Sequence, residues 1–211
     1  MQFNDHSKLA GKHAFMSASK SSWLNYDDDT FKERFLTQSS TTIGELLHKL
    51  AAKMIKERIP LKKSDKTTIA VWLLMNGIPR YLIDPDKWVV NLSNYINDAI
   101  RFGMEPEVIL YYSDYCFGTT DSILYTDRSL RIHDLKTGTT PVHIEQLLIY
   151  AALYCHEYMI NPKSIETELR IYQNGEVIFH KPDPEEIQDI MDVIESRDRF
   201  IEEKILKKYH K

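Results

Sequence analysis

The chain has 211 residues and a formal net charge of −4, with 27 Lys and Arg against 31 Asp and Glu. Hydrophobic residues make up 43% of it, which favours a folded domain with a sizeable core over a disordered chain. No apolar run approaches the roughly 18 residues of a membrane span, and Met1–Asp5 lacks the basic start of a secretory signal. The two cysteines form no Cys-x-x-Cys pair, which argues against a disulfide framework or a cysteine-ligated metal. We therefore expect a cytoplasmic protein without a membrane partner.

The first half of the chain is predicted to be helical. The serines at 17–22 offer caps for a short helix, and Asp27–Thr30 is a loop or a helix start. A stronger helix is predicted from Thr41 until Pro60 ends it. Its apolar residues recur at helical spacing and form one stripe of Ile43, Leu46, Leu47, Leu50, Ala51 and Met54. Two more helices are predicted over 67–76 and about 85–102, each followed by a glycine.

The second half mixes strands and helices. Three strands in hairpin connection are predicted over 107–112, 117–125 and 130–136, followed by a helix over 143–158. Two more strands, over 165–172 and 177–180, flank a turn at Asn174-Gly175, and a last helix is predicted from Asp183 to about Tyr209. This order predicts an α/β (α+β) fold with a mixed central sheet flanked by helices. We expect one domain over 1–211, with a helical part over about 1–104 and the sheet within 105–211.

Acidic side chains and a lysine come together on two predicted neighbouring strands. Asp134 and Lys136 are two residues apart, so their side chains project from the same face of a strand. Asp121 lies on the preceding strand, across a short hairpin. Two carboxylates beside a lysine form a hard-oxygen site that suits Mg²⁺ or Mn²⁺, with a point charge for a phosphate.

Other polar residues accompany this group on the predicted helices. Gln146 and Tyr150 are four residues apart and therefore share one face of the helix after the strand. His48 lies on the flank of its helix, one turn after Gly44, where the missing side chain permits a close approach of another segment. Neutral imidazole is a competent ligand for Mg²⁺ or Mn²⁺, although not the preferred one.

Purely structural interpretations of the same residues stay open. Asp121 could cap a turn or pair with Arg131. Asp134 and Lys136 could form an exposed ion pair at the sheet edge, which would stabilise the fold little. Leu130 precedes them on the same face of the strand, however, and a charged pair that continues an apolar face favours a half-buried site.

Taken in chain order, these residues resemble the PD-(D/E)XK nuclease superfamily, and most closely its RecB-type, phage exonuclease-like branch. The resemblance rests on Gly44-Glu45-Leu46-Leu47-His48, Gly118-Thr119-Thr120-Asp121, Asp134-Leu135-Lys136 and Gln146-x-x-x-Tyr150. It covers most of the chain, although this chain lacks the four cysteines of the members that carry an iron–sulfur cluster. The resemblance implies a restriction-endonuclease-like core with an N-terminal helical extension.

The resemblance also implies a role for each matching residue. The implied ligands of Mg²⁺ or Mn²⁺ are His48, Asp121, Asp134 and the carbonyl oxygen of Leu135. Lys136 is the implied catalytic lysine, while Gln146 and Tyr150 contact DNA or hold the site. Glu107 matches an acidic residue of some relatives, with Glu105 as the competing choice.

The resulting functional prediction is a divalent-metal-dependent DNA nuclease. The resemblance implies a phage-type exonuclease of DNA recombination, replication or repair, in a bacterial or phage-infected cell. It also allows a homo-oligomer and a phage recombination or single-strand-binding partner protein. The polarity and the strand preference of cleavage stay open.

Two rival functions come from other classes. The first is a non-catalytic DNA-binding or inhibitor protein on a nuclease-like fold. The second is a serine acylase, from Ser17-x-x-Lys20 with Lys136-Thr137-Gly138, although a well-placed Ser-x-Asn is missing.

The acidic net charge is compatible with DNA if a cation offsets the converging carboxylates. DNA contact would then depend on the metal and on a few lysines, namely Lys49, Lys53, Lys62, Lys63 and Lys136. We therefore expect modest DNA binding without metal.

Overall fold

The computed structural model describes residues 15–16, 21–140 and 142–206. They divide between two units, Met1–Ile43 and Gly44–Lys211. Helix α1, Asp28–Glu57, contributes residues to both. The proposed serine-acylase residues Ser17 and Lys20 lie outside the described residues.

In the first unit, a 3₁₀ helix over Ser21–Asn25 precedes α1. Asp27–Thr30, predicted to be a loop or a helix start, contains the start of α1, where the Thr30 N–H donates to Asp27 Oδ1 at 2.7 Å. The ring of Phe15 packs edge-to-face against Phe31 and Phe35, with centroids 5.1 and 5.4 Å away.

Helix α1 begins at Asp28, so the predicted start at Thr41 is wrong. The large apolar residues of the added turns are only Phe31, Phe35 and Leu36, too few for the long stripe by which a helix is predicted. Threonine hydroxyls bond to the backbone of this part of the helix: that of Thr37 donates to the Glu33 carbonyl at 2.9 Å, and that of Thr42, just after the predicted start, donates to the Gln38 carbonyl at 3.0 Å.

The second unit carries the remaining elements, close to their predicted places. Its helices after α1 are α2 (Lys66–Met75), α3 (Val89–Phe102), α4 (Glu145–Glu157) and α5 (Pro184–Phe200). Its strands are β1 (Glu105–Ser113), β2 (Cys116–Thr126), β3 (Ser129–Leu135), β4 (Glu166–Gln173) and β5 (Glu176–His180).

Two predicted helix bounds need correction. The helix predicted from Pro85 is split, since Pro85–Lys87 forms a 3₁₀ turn and α3 starts at Val89. The last α-helix ends at Phe200 and continues as a π-helical turn over Ile201–Ile205. The predicted end near Tyr209 lies outside the described residues. No helix within the described ranges is long and apolar enough to cross a membrane.

The strands form one mixed sheet in the order β1-β2-β3-β4-β5. All neighbours are antiparallel except β3 and β4, which are parallel and joined through α4. The predicted turn is present between β4 and β5, where Asn174 and Gly175 have φ of 53° and 81°. The fold class predicted from the element order, a mixed sheet flanked by helices, is thereby confirmed.

Helices cover the central strands and bury the end of β3. Leu147 and Ala151 of α4 pack with Leu130 and Ile132 of β3 in the main apolar cluster. Elsewhere the ring of Tyr95 on α3 packs edge-to-face against Tyr172 of β4, with centroids 5.4 Å apart. Polar side chains at the carboxyl end of β3 are consequently held inside protein rather than at a free edge.

Candidate active site at the carboxyl end of strand β3

Asp121 and Asp134 lie side by side on β2 and β3. The antiparallel strands pair Ser122 with His133. Asp121 precedes Ser122 and Asp134 follows His133, so the two aspartates are adjacent across the strands. Their charges interact, because burial first and the charge of Asp121 second raise the pKa of Asp134 to about 6. The predicted pair of carboxylates is therefore brought together.

Both carboxylate oxygens of Asp121 have partners. Oδ2 accepts the Leu135 N–H at 2.7 Å, and Oδ1 lies 3.1 Å from Nδ1 of His48. Asp121 thus bonds to the backbone of the last residue of β3, and also holds the predicted histidine. It does not pair with Arg131, whose Nε lies 3.5 Å from Glu168.

His48 carries a proton more readily than a free histidine. Burial by itself would lower its pKa, but the hydrogen bond and charge of Asp121, with the charges of Asp134 and Glu107, outweigh burial and raise the pKa. A protonated imidazole is an ion-pair partner of Asp121 rather than a metal ligand. Only the neutral form of His48 could act as the predicted ligand, and the raised pKa disfavours that form.

Asp134 is the most enclosed acid of the group, with 3% of its surface exposed. Lys136 Nζ lies 3.2 Å from Oδ1 and 3.1 Å from Oδ2, but only the contact with Oδ1 has hydrogen-bond geometry. The buried Oδ2 has no hydrogen bond to any described residue. This is not the exposed ion pair of the structural interpretation, since Asp134 is buried and its Oδ2 has the Lys136 ammonium 3.1 Å away but accepts no hydrogen bond.

A chain of polar side chains orients Lys136. Its Nζ donates to Gln146 Oε1 at 2.7 Å, and Gln146 Nε2 donates to the Tyr150 hydroxyl at 3.2 Å. The aromatic ring of Tyr150 lies over Gly118, where a Cβ atom would come within 2.9 Å of Cε1. The structure thus brings together the predicted lysine, glutamine and tyrosine.

The glycine before His48 also permits a close approach. A Cβ atom on Gly44 would lie 2.9 Å from Oγ1 of Thr137, in the loop after Lys136. The close approach expected at Gly44 is present, but it is made by a side chain of the β3–α4 loop.

Glu107, rather than Glu105, belongs to this group. The β1–β2 register places Glu107 opposite Asp121, whereas Glu105 pairs with Ile123. Burial and the charge of Asp121 raise the pKa of Glu107, partly offset by His48 and Lys49. Glu107 also has a φ of 57°, a left-handed conformation that is rare for a non-glycine residue and recurs at functional sites.

Two amide side chains that the sequence did not single out hold the loop after β3. Asn91 of α3 donates from Nδ2 to the carbonyls of Lys136 and Tyr172, at 2.9 and 3.0 Å. Gln173 of β4 donates from Nε2 to the carbonyls of Gly138 and Thr140, both at 2.8 Å. Neither residue lies near Lys136 in sequence, and neither belongs to a recognisable motif.

His133, beside Asp134 in sequence, lies outside the group. It is fully buried, with its Nδ1 3.3 Å from the Tyr172 hydroxyl. Burial and then the charges of nearby arginines lower its pKa to about 3, so it is neutral at pH 7.

The donor atoms fit a magnesium ion only in part. Within the described ranges, no three His, Cys, Asp or Glu side chains are grouped to hold a metal. Magnesium does not need such a cage, because it commonly uses one or two carboxylates and fills its shell with water and phosphate oxygens. The Oδ2 of Asp134, which accepts no hydrogen bond within the described residues and lies next to Asp121, matches that smaller requirement.

Comparisons with known proteins give one family. The family model described as a protein of unknown function (DUF2800) matches residues 13–175. A search of curated proteins finds no match. The matched range contains every residue of the candidate site and ends at the turn between β4 and β5.

Proposed function

The chain belongs to the DUF2800 family of proteins of unknown function, and we propose that it is a divalent-metal-dependent DNA nuclease that hydrolyses phosphodiester bonds. The resemblance to phage exonucleases of the PD-(D/E)XK superfamily makes an exonuclease the favoured form. The observation that carries the proposal is Asp134, a buried carboxylate whose Oδ2 accepts no hydrogen bond from the described residues, flanked by Asp121 and by the oriented ammonium of Lys136.

Different residues would bind the metal ion and stabilise the phosphate in the proposed reaction. Asp121 and Asp134 would hold Mg²⁺ or Mn²⁺, with the Leu135 carbonyl as a further oxygen. A bound ion supplies a Lewis acid for a phosphate oxygen and lowers the pKa of a coordinated water. Lys136 places a positive charge where negative charge develops on the phosphate, and Gln146 fixes its direction through a 2.7 Å hydrogen bond.

The roles of His48 and Glu107 follow from their charges. When protonated, His48 neutralises Asp121, and when deprotonated it can join the ligand set. Glu107 lies between the pairs Pro106–Ser122 and Val108–Thr120, close enough for its charge to interact with those of Asp121 and His48, and would add negative charge near the site.

The test is cleavage of end-labelled linear duplex, circular duplex and single-stranded DNA with Mg²⁺, Mn²⁺ or EDTA. We expect cleavage with metal and none with EDTA. Asp134→Ala and Lys136→Ala should each reduce the rate at least about a hundredfold, the range lost when a group acting on the transition state is removed. Loss of linear substrates alone would identify an exonuclease.

Matched substitutions away from the site keep this test specific. Asp192→Ala on α5 and Lys163→Ala before β4 remove the same charges from exposed positions and should leave the rate unchanged. Full activity in a folded Asp134→Ala protein would refute the proposal. Metal-independent DNA binding without cleavage under any condition would favour the non-catalytic alternative.

A further inference from the structure

Positive charge is concentrated beside the candidate site in an otherwise acidic chain. The segment 48–63 carries six basic side chains against the single Glu57, a formal charge of +5, which leaves −9 for the rest of the chain. The basic residues are Lys49, Lys53, Lys56, Arg58, Lys62 and Lys63. Lys49 directly follows His48 and is close enough to Glu107 to lower its pKa.

An apolar trough lies along the same stretch of α1, between that helix and α2. It has a volume of about 460 Å³, and most of its lining is apolar, with Leu50, Met54, Ile59, Val71, Trp72 and Met75. Met75 is 81% exposed. Val71 at its rim is also exposed, and Lys53, Glu57, Thr67 and Thr68 complete the lining.

Trp72, which lines the trough, also contacts a basic side chain and the backbone of α1 near His48. Lys53 Nζ lies 5.8 Å from the centroid of its indole ring. The indole N–H donates to the Leu46 carbonyl at 2.8 Å, two residues before His48 on α1. Lys49 and Lys53 are one helical turn apart, about 6 Å along the axis, on the side of α1 that leads from His48 to the trough.

We propose that this surface binds a single strand of DNA with unpaired bases and leads it to the carboxylate site. The inference rests on the proposed function for the direction of the strand, but the binding itself does not need cleavage. Lys49 and Lys53 would contact phosphates, and a base would stack in the trough on Trp72. Sites for single strands combine these two features, a basic track and an aromatic platform.

The composition of the trough favours a single strand over other occupants. A duplex hides the faces of its bases and would leave the apolar side chains of Val71 and Met75 in water. A purely acidic peptide could satisfy the lysines, but it has no side chain to place on the aromatic ring. Unpaired bases on a phosphate backbone use both the charge and the apolar surface at every nucleotide.

The test is binding of fluorescein-labelled oligo(dT) in EDTA at low salt, followed by anisotropy and by tryptophan fluorescence. We expect a Kd of roughly 1–100 µM and quenching of the intrinsic fluorescence. Trp72→Phe should lose most of the quenching, whereas Trp88→Phe, the matched control at the start of α3, should retain it. Thermal unfolding of both variants checks that they fold.

Substitutions at the rim give a second readout that does not depend on the indole. Met75→Glu and Lys53→Glu should each weaken oligo(dT) binding at least about fivefold, the effect of losing about 1 kcal/mol of stacking or phosphate contact. Lys163→Glu, at an exposed position outside the trough, should change it less than about twofold.

The outcomes separate this inference from the proposed function. Equal or tighter binding of duplex, competition by poly-L-glutamate at equal charge, or unchanged quenching in Trp72→Phe would each overturn the inference. Metal-dependent cleavage could then still be present. Conversely, oligo(dT) binding as predicted, without DNA cleavage under any condition, would support the inference and refute the proposed nuclease function.

Discussion

Asp134 shows at the scale of one residue how the proposed chemistry conflicts with stability. Its carboxylate is buried, and its charge is offset only in part by Lys136. An ionised group in such a position destabilises the folded state relative to a neutral one of the same shape. Strongly perturbed acids of this kind are concentrated at functional sites.

We predict that Asp134→Asn abolishes cleavage and stabilises the protein above pH 7. The pKa of Asp134 is raised from 3.8 to about 6 in the folded state, so its contribution to stability is lost as the pH rises through that range. Asparagine does not ionise and avoids the loss, which amounts to at most about 3 kcal/mol at pH 8. Urea unfolding in EDTA at pH 5 and pH 8 measures the difference, which should be larger at pH 8.

The exposed Asp192 provides the reference for this comparison. Asp192→Asn on α5 removes a carboxylate that is in water and should leave the unfolding free energy almost unchanged at both pH values. If Asp134→Asn proves less stable than the wild type at pH 8, its ion pair with Lys136 outweighs the cost of burial.

At the scale of the elements, helix α3 fixes the position of the Lys136 backbone directly after strand β3. Asn91 bonds to the carbonyls of Lys136 and Tyr172 and accepts the Gly175 N–H at 3.3 Å. One buried amide therefore ties α3 to the ends of both parallel strands and to the β4–β5 turn. A side chain that satisfies three backbone groups is costly to remove, because those groups stay buried.

We predict that Asn91→Ala lowers stability by about 1–3 kcal/mol and lowers kcat more than it weakens DNA binding. The expected cause is a Lys136 that no longer keeps its direction toward Gln146. Asn94→Ala is the matched control, since Asn94 bonds only to the nearby Gly175 carbonyl, at 3.1 Å. Rates are compared per folded molecule, and equal kcat values in the two variants would contradict a positioning role for Asn91.

Sequence patterns predicted the elements that have a one-sided apolar face and missed those that do not. The stripe on α4 and the alternation on β3 were sufficient to place Asp134, Lys136 and Gln146. The first turns of α1 contain too few apolar residues for a stripe and were not predicted. The hydrogen bonds of Asn91 join residues that are far apart in the chain. They depend on tertiary packing, which local periodicity does not encode.

At the scale of the whole molecule, charge is separated rather than balanced. A total of −4 combines the basic segment 48–63 with an acidic remainder, and both meet where α1 passes the carboxylates. The net charge therefore says little about DNA, since the local distribution determines which surface attracts a polyanion. The remainder should repel DNA from other faces and favour approach along α1.

We predict that metal-free binding of oligo(dT) weakens steeply with salt. Three phosphate contacts would give a slope of about −2 for log K against log [KCl], because each contact on a single strand contributes about −0.7. The double variant Lys49→Glu, Lys53→Glu should flatten the slope to between about −1 and zero by removing two of those contacts. Anisotropy titrations over a series of KCl concentrations measure it, with Lys163→Glu as the reference. An unchanged slope in the double variant would place the phosphate contacts on other basic residues, and α1 would then have no part in guiding the strand.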